Sequence, residues 1–315
     1  MNLLTEALNI RYPIFQGGMG NISNSILTAA VSNAGGLGTI GAGTMDPNEV
    51  EKIILETKKL TDKPFALNLA LSVSPYIKEM LSLAIKYSVP AVSLSAGNPA
   101  PYIPKLHKHN IKVITVTASV RQAVKAAEAG TDIIVAEGYE AAGINSPYET
   151  TTLTLIPQIV KAVNVPVVAA GGIADGCGLA AMLMLGAQGV QMGTRFIATK
   201  DAPFHPNYKE KILTAGDTET VIVGRSVGRI RRVIKTPYSE KLLLSEKHGV
   251  SLEEFNSLTT EDIHKIGAIE GNGEQGFMNS GQISGYIDDL PTVSDLLDSM
   301  MAEASSQIKK ISNIF

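Results

Sequence analysis

Eight short apolar runs, rich in β-branched residues, recur roughly every 20 to 30 residues through the first two thirds of the chain, and no other feature restricts its fold as much. They are PIFQ (13–16), LGTI (37–40), FALNL (65–69), AVSL (91–94), KVITV (112–116), DIIVA (132–136), PVVAA (166–170) and GVQM (189–192). Continuous rather than alternating apolar character marks strands buried on both faces, the pattern of a parallel sheet covered by helices. The stretches between them carry helical spacing, as in NEVEKIILETKKL, SVRQAVKAAEAG, TLTLIPQIVKAVN and GLAAMLMLGA. Ser23, Asp46 and Ser119 stand where N-caps belong, and Gly130 and Gly186 where helices end. Eight βα units predict an α/β fold, a TIM-type (β/α)8 barrel. An open doubly wound sheet is the rival. Its glycine fingerprint is poorly met by GGLGTIGAG, whose first glycines precede the strand and which is followed by Met45-Asp46-Pro47 before the next helix.

The repeat stops after the eighth run. Residues 1–200 are expected to form the barrel, 201–290 a lid or insertion over its mouth, and 291–315 a C-terminal helix packing back on the barrel. A chain of 315 residues, 44% hydrophobic and 18% charged, is long enough for one such core and too apolar for disorder. Net charge −3 argues against nucleic acid or an anionic membrane as partner. The basic stretch GRSVGRIRRVIK, from Gly224 to Lys235, reads as a solvated helix face or an anion contact. One cysteine, Cys177, excludes an internal disulfide and a cysteine-built metal cluster. With no targeting segment or membrane span, a cytoplasmic setting is expected.

In such a barrel the site lies at the C-terminal strand ends, with phosphate at the seventh and eighth. Those ends read AAGGIADG and QMGTRF, so Gly171, Gly172 and Gly193 offer open backbone N–H groups and Thr194 a hydroxyl, together a phosphate cradle. The first strand ends QGGMG, placing Gly18 and Met19 where a flat ligand can lie against the backbone. Asn68 ends the third strand with an amide suited to the edge of a heterocycle. Glu137 and Glu140 follow the sixth. As a pair they suit acid and base chemistry, but no neighbouring histidine or aspartate completes a metal set, and Glu137 is read as an acceptor for a polyol chain.

The segments YPIFQGGMG, VSNAGGLGTIGAG, KPFALNL, AGNP, AEGYEAAG, PVVAAGGIADG, GVQMGTRFIAT and GQISGYIDD, in this order over most of the chain, resemble the nitronate monooxygenase family of FMN-binding barrels, which includes FMN-dependent enoyl-acyl-carrier-protein reductases. The resemblance implies one FMN, its phosphate at Gly172, Gly193 and Thr194, with Gly18, Met19, Asn68, Glu137, Ala142, Gly171, Gln191 and Met192 around the ribityl chain and ring. It implies an FMN-dependent oxidoreductase that oxidises alkyl nitronates with oxygen. The alternative is a reductase drawing on NADH or NADPH and acting on enoyl thioesters or quinones; Arg225, Arg229, Arg231 and Arg232 would then meet an acyl carrier protein. A non-redox phosphate-binding barrel is more remote, since no strand end carries a lysine and Lys200 lies well past the eighth. The substrate is a small molecule in every enzyme reading, and a homodimer and a monovalent cation stay open.

The family pattern breaks at one place. Where the family reads E-A-G-G-H, with a histidine that handles protons, this chain reads Glu140, Ala141, Ala142, Gly143, Ile144. Asn145 bonds a nitro or carbonyl oxygen but is no base. His205, after the eighth strand, and His264, in the lid, are candidates to reach the mouth, ahead of Tyr139 and Tyr148; His107 and His109 fall at the opposite end. Nitronates are already anionic, so their oxidation survives the loss, whereas neutral nitroalkanes are expected to be poor substrates.

Overall fold

The computed structural model describes residues 2–314. The first six strands are β1 (Ile14–Gln16), β2 (Gly38–Gly41), β3 (Phe65–Ala70), β4 (Ala91–Ser95), β5 (Lys112–Thr117) and β6 (Ile133–Glu137), each within about a residue or two of an apolar run. A two-residue strand, β7 (Gly143–Ile144), lies in the loop that follows, and β8 (Val167–Ala170) and β9 (Gly189–Met192) complete the expected eight. Parallel pairing runs β1–β9–β8–β6–β5–β4–β3–β2. Backbone bonds of 2.9 Å from Leu37 N to Ile14 O and from Gln16 N to Leu37 O close the ring. The fold is the TIM barrel, with its strands buried on both faces as their composition demands.

The barrel interior is filled rather than hollow. Phe15 and Leu37 supply bulk there, Ala66 and Ala91 make room for it, and Ile114, Ile133, Val135 and Val168 continue the cluster. At the N-terminal end the helix Leu3–Leu8 seals the barrel by placing Leu4 and Leu8 in the same cluster. Asp46 and Ser119 cap their helices as read, each accepting from a backbone N–H. Ser23 does not. Asn24 caps the helix Ser25–Asn33, and the Ser23 hydroxyl accepts from Gly41 N and Met19 N, bracing the turn after β1.

Past β9 the segment 201–290 adds helices Pro206–Leu213, Pro237–Lys247, Leu252–Leu258 and Glu261–Ala268 and a hairpin of β10 (Thr220–Val223) and β11 (Arg231–Ile234). The expected basic helix over 224–235 is therefore a turn and a strand. The β-branched runs TVIV and RRVI pair antiparallel, Thr220 opposite Ile234, and bury Val223 and Val233 against Phe255 and Phe277. β7 adds to the free edge of β11, Ile144 opposite Arg231 and Gly143 opposite Arg232, so the loop after β6 belongs to this outer sheet. The long helix Val293–Ser312 packs on the helix Gly176–Met184, approaching so closely that a Cβ on Gly176 would sit 2.4 Å from Met300 O. Among the described residues no helix is long and apolar enough to cross a membrane.

Candidate functional site

The C-terminal strand ends surround one cavity of about 840 Å³, a volume in the range of cofactor sites, roughly 300–1,000 Å³. All of the cofactor-site residues expected from sequence border it. β1 delivers Gly18 and Met19, β3 Asn68, and β6 Glu137 with Ala142 beyond it; β8 delivers Gly171 and Gly172, and β9 Gln191, Met192, Gly193 and Thr194.

Local backbone explains the glycines at the end of β8. Gly171 and Gly172 hold φ of +99° and +76°, a turn that L side chains resist, and it lays the peptide of this strand end against the cavity. Beside it, the direction a Cβ would take from Gly193 meets nothing within 4 Å, so that strand end opens onto free space. The Thr194 hydroxyl accepts from Gly281 N at 2.9 Å and keeps its proton for a further acceptor. Asn68 Nδ2 points to Ser93 and Ser95 oxygens at 3.3 Å. Glu137 has no such partner. It borders the cavity, and burial pushes its pKa up to about 7. This is a donor set for a phosphorylated, flat, hydrogen-bonding group. The free space beside Gly193 has room for an anionic group, and the Glu137 carboxyl borders the same cavity.

The loop after β6 is fixed from several sides. The Glu140 carboxylate accepts from Thr152 N at 2.9 Å and Thr152 Oγ1 at 3.0 Å, which makes it a brace for the next helix and removes it as half of an acid–base pair. Asn145 Nδ2 donates to Ala141 O at 2.8 Å and Tyr139 O at 3.3 Å, binding the loop to itself while its residue borders the cavity. Ile144 also borders the cavity and is 47% exposed. Tyr148 lines the mouth, whereas the Tyr139 hydroxyl is engaged by Glu149 and Arg225 away from it. His205 does not reach the cavity: its Nδ1 accepts from Asn207 N at 3.1 Å and caps the helix Pro206–Leu213. His107 pairs with Asp132 at 2.8 Å, outside the site.

Opposite Ile144 the outer segment brings a polar cluster that sequence spacing did not reveal. Arg231 and Arg232 are buried, which corrects the reading of four arginines as one solvent-facing patch; Arg225 remains exposed. Arg232 donates to Tyr139 O at 3.0 Å. Arg231 lies 3.5 Å from Glu261 Oε1, donates to Asn279 Oδ1 at 3.3 Å and stacks over Phe277 at 4.7 Å. Burial raises the Glu261 pKa, but His264, Arg231 and Asn21 N outweigh it and hold the carboxyl at about 2. His264, only 1% exposed, borders the cavity, stacks on Phe277 at 5.1 Å, and leaves Nε2 without a hydrogen-bond partner among the described residues. Of the histidines weighed from sequence, it is the one that the fold brings to the site.

Residues 1–303 match the protein-family model described as nitronate monooxygenase. A probable nitronate monooxygenase of Staphylococcus saprophyticus is 35% identical, over 89% of this chain and 91% of its own length. A (3aS,4S,5R,7aS)-5-hydroxy-7a-methyl-1-oxo-octahydro-1H-indene-4-carboxyl-CoA dehydrogenase of Rhodococcus jostii is 34% identical over 97% of this chain and 96% of that one. The solved structure of FabK from Thermotoga maritima superposes with a TM-score of 0.93 and 39% identity, covering 100% of this chain and 99% of the other.

Proposed function

Since the chain belongs to the nitronate monooxygenase family of flavin-dependent oxidoreductases, we propose that it holds FMN at the strand ends and oxidises alkyl nitronates with oxygen. The observation that carries this reading is the cavity wall at position 144, where an isoleucine faces a site otherwise furnished for a phosphorylated, flat cofactor. A substrate that arrives as an anion needs no base there; a neutral one does.

Bound FMN supplies the two-electron chemistry, and the protein supplies position and electrostatics. Gly172, Gly193 and Thr194 hold the phosphate; Asn68, Gln191, Met192 and Gly18 border the ring, with Met19 as a soft apolar wall. Glu137 accepts from ribityl hydroxyls, and those bonds favour its ionised form. Ile144 and Tyr148 shape the substrate side, and the 201–290 segment acts as the lid that shields it from water.

Adding ethylnitronate to the purified, FMN-loaded protein without oxygen is expected to bleach its flavin absorbance. Nitroethane at the same concentration should do so at least about 10²-fold more slowly, the lower end of the effect of missing a base. Equal rates for the two would sink the reading. The full-length likeness to FabK and to a carboxyl-CoA dehydrogenase favours a second one, a reductase fed by NADH or NADPH. Bleaching by nicotinamide and not by nitronate would select it. A carrier protein would then meet Arg225 and Arg229, since Arg231 and Arg232 are buried.

A further inference from the structure

We propose that Arg231 is the receptor for the negatively charged head group of the substrate, a planar two-oxygen anion of the nitronate kind, so that a fixed cation beside the loop answers the loss of its histidine. This rests on the flavin reading of the cavity and goes further by naming the group that selects the substrate's charge.

Ile144 and Arg231 are directly opposed in the β7–β11 pair. Directly opposed residues of an antiparallel pair put their side chains on the same face of the sheet. Both residues border the cavity, so the guanidinium stands beside the position where the resemblance expects the histidine. An arginine offers five N–H donors in a flat fork that matches two-oxygen anions. Few of those donors are used here: one bond of 3.3 Å reaches Asn279 Oδ1, and the approach to Glu261 stretches to 3.5 Å. The side chain is only 9% exposed, and with one loosely placed carboxylate at 3.5 Å and the Phe277 ring at 4.7 Å as its company, this buried cation keeps donors for a further anion.

Glu261 is a resident counter-ion rather than a full partner. Its Oε2 lies 3.5 Å from Asn21 N and 3.7 Å from His264 Nδ1, so its charge is shared among three groups. An incoming anion therefore competes with Glu261 for Arg231. That competition yields a signed test: loss of Arg231 weakens anion binding, and neutralising Glu261 strengthens it.

The experiment titrates FMN-loaded protein with nitrate, a planar and inert probe, and in a second arm with acetate, following the perturbation of the flavin spectrum; FMN affinity is measured in parallel for each variant. Arg231→Gln is expected to weaken nitrate binding by at least about tenfold, the loss of one charge-assisted hydrogen bond. Arg231→Lys should fall between, because an ammonium keeps the charge and loses the fork. Glu261→Gln should tighten nitrate severalfold, an outcome that a merely structural ion pair would not give. Failure of the wild-type protein to take up FMN would overturn the flavin reading itself. With FMN bound, the assignment to Arg231 falls if the wild-type protein does not bind nitrate, if Arg231→Gln leaves nitrate affinity unchanged, or if Glu261→Gln weakens it as Arg231→Gln does. Acetate bound more tightly than nitrate would overturn the nitronate head group in favour of a carboxylate.

Discussion

Ile144 stands where the resemblance expects a histidine, and on the proposed reading it leaves the removal of a proton to be done before the substrate arrives. The side chain is about half exposed and borders the cavity, so a ring placed there meets open space. Ile144→His is accordingly expected to raise nitroethane turnover by about 10²-fold or more, the lower end of what a general base contributes, while ethylnitronate turnover changes little; steady-state assays on both substrates measure this. Glu137 gives a second residue-level prediction. Its pKa of about 7 in the folded chain stands above the ordinary 4.5. Below 4.5 folded and unfolded chains both carry the proton and the residue takes no side. Between there and 7 the unfolded chain ionises first, and stability is lost as the pH rises. In flavin-free protein, Glu137→Gln should remove this loss and leave the variant roughly 1–3 kcal/mol more stable than wild type at pH 8, with a smaller gap at pH 5. Thermal unfolding at the two pH values checks it, and a gap that does not change with pH would show that cavity water already hydrates the carboxylate.

Among the elements, the strands that sequence revealed and those it hid differ in how they are buried. The eight barrel strands are covered on both faces, and that leaves continuous apolar runs such as DIIVA and PVVAA. β7 is two residues long, reads as part of a glycine- and asparagine-bearing turn, and exists only because β11 arrives late in the chain to pair with it. β11 itself was masked by its arginines, whose charge suggests a solvated surface until Glu261, Asn279 and Tyr139 O are seen to receive them. The candidate site was legible for the same reason as the barrel, since glycine, asparagine and glutamate at the ends of apolar runs stand out locally. The Arg231 cluster joins the i,i+3 pair Glu261 and His264 to Arg231 and Asn279 from other elements, and no local spacing encodes that meeting. Asn145 is the element-scale test: Asn145→Ala removes both amide bonds to the loop carbonyls and should cost about 1–2 kcal/mol of stability by chemical denaturation. No measurable cost would mean that the β7 pairing alone holds the loop.

For the whole molecule the two chain ends do unequal work. The first helix plugs the floor of the barrel with Leu4 and Leu8, while the last, far along the sequence, sets Met300 and Ala304 against the helix Gly176–Met184 and Leu297 beside Gly36, where a Cβ would sit 3.2 Å from it. Leu297 is fully buried, so Leu297→Ala should lower unfolding stability by about 2–5 kcal/mol without altering FMN affinity, measured by denaturant titration and flavin fluorescence. A matching loss of FMN affinity would place that helix in the site's support. The ring also needs β1 to pair with β9, two segments at opposite ends of the barrel sequence. On a ribosome adding about 5 to 20 residues per second, the first strand emerges and then stands with one edge unpaired for roughly ten to forty seconds, until the last is made. Throughout that interval the nascent chain offers a bare edge to chaperones and to neighbouring copies of itself, so its exposure to aggregation during synthesis is set by the distance along the message between its first barrel strand and its last.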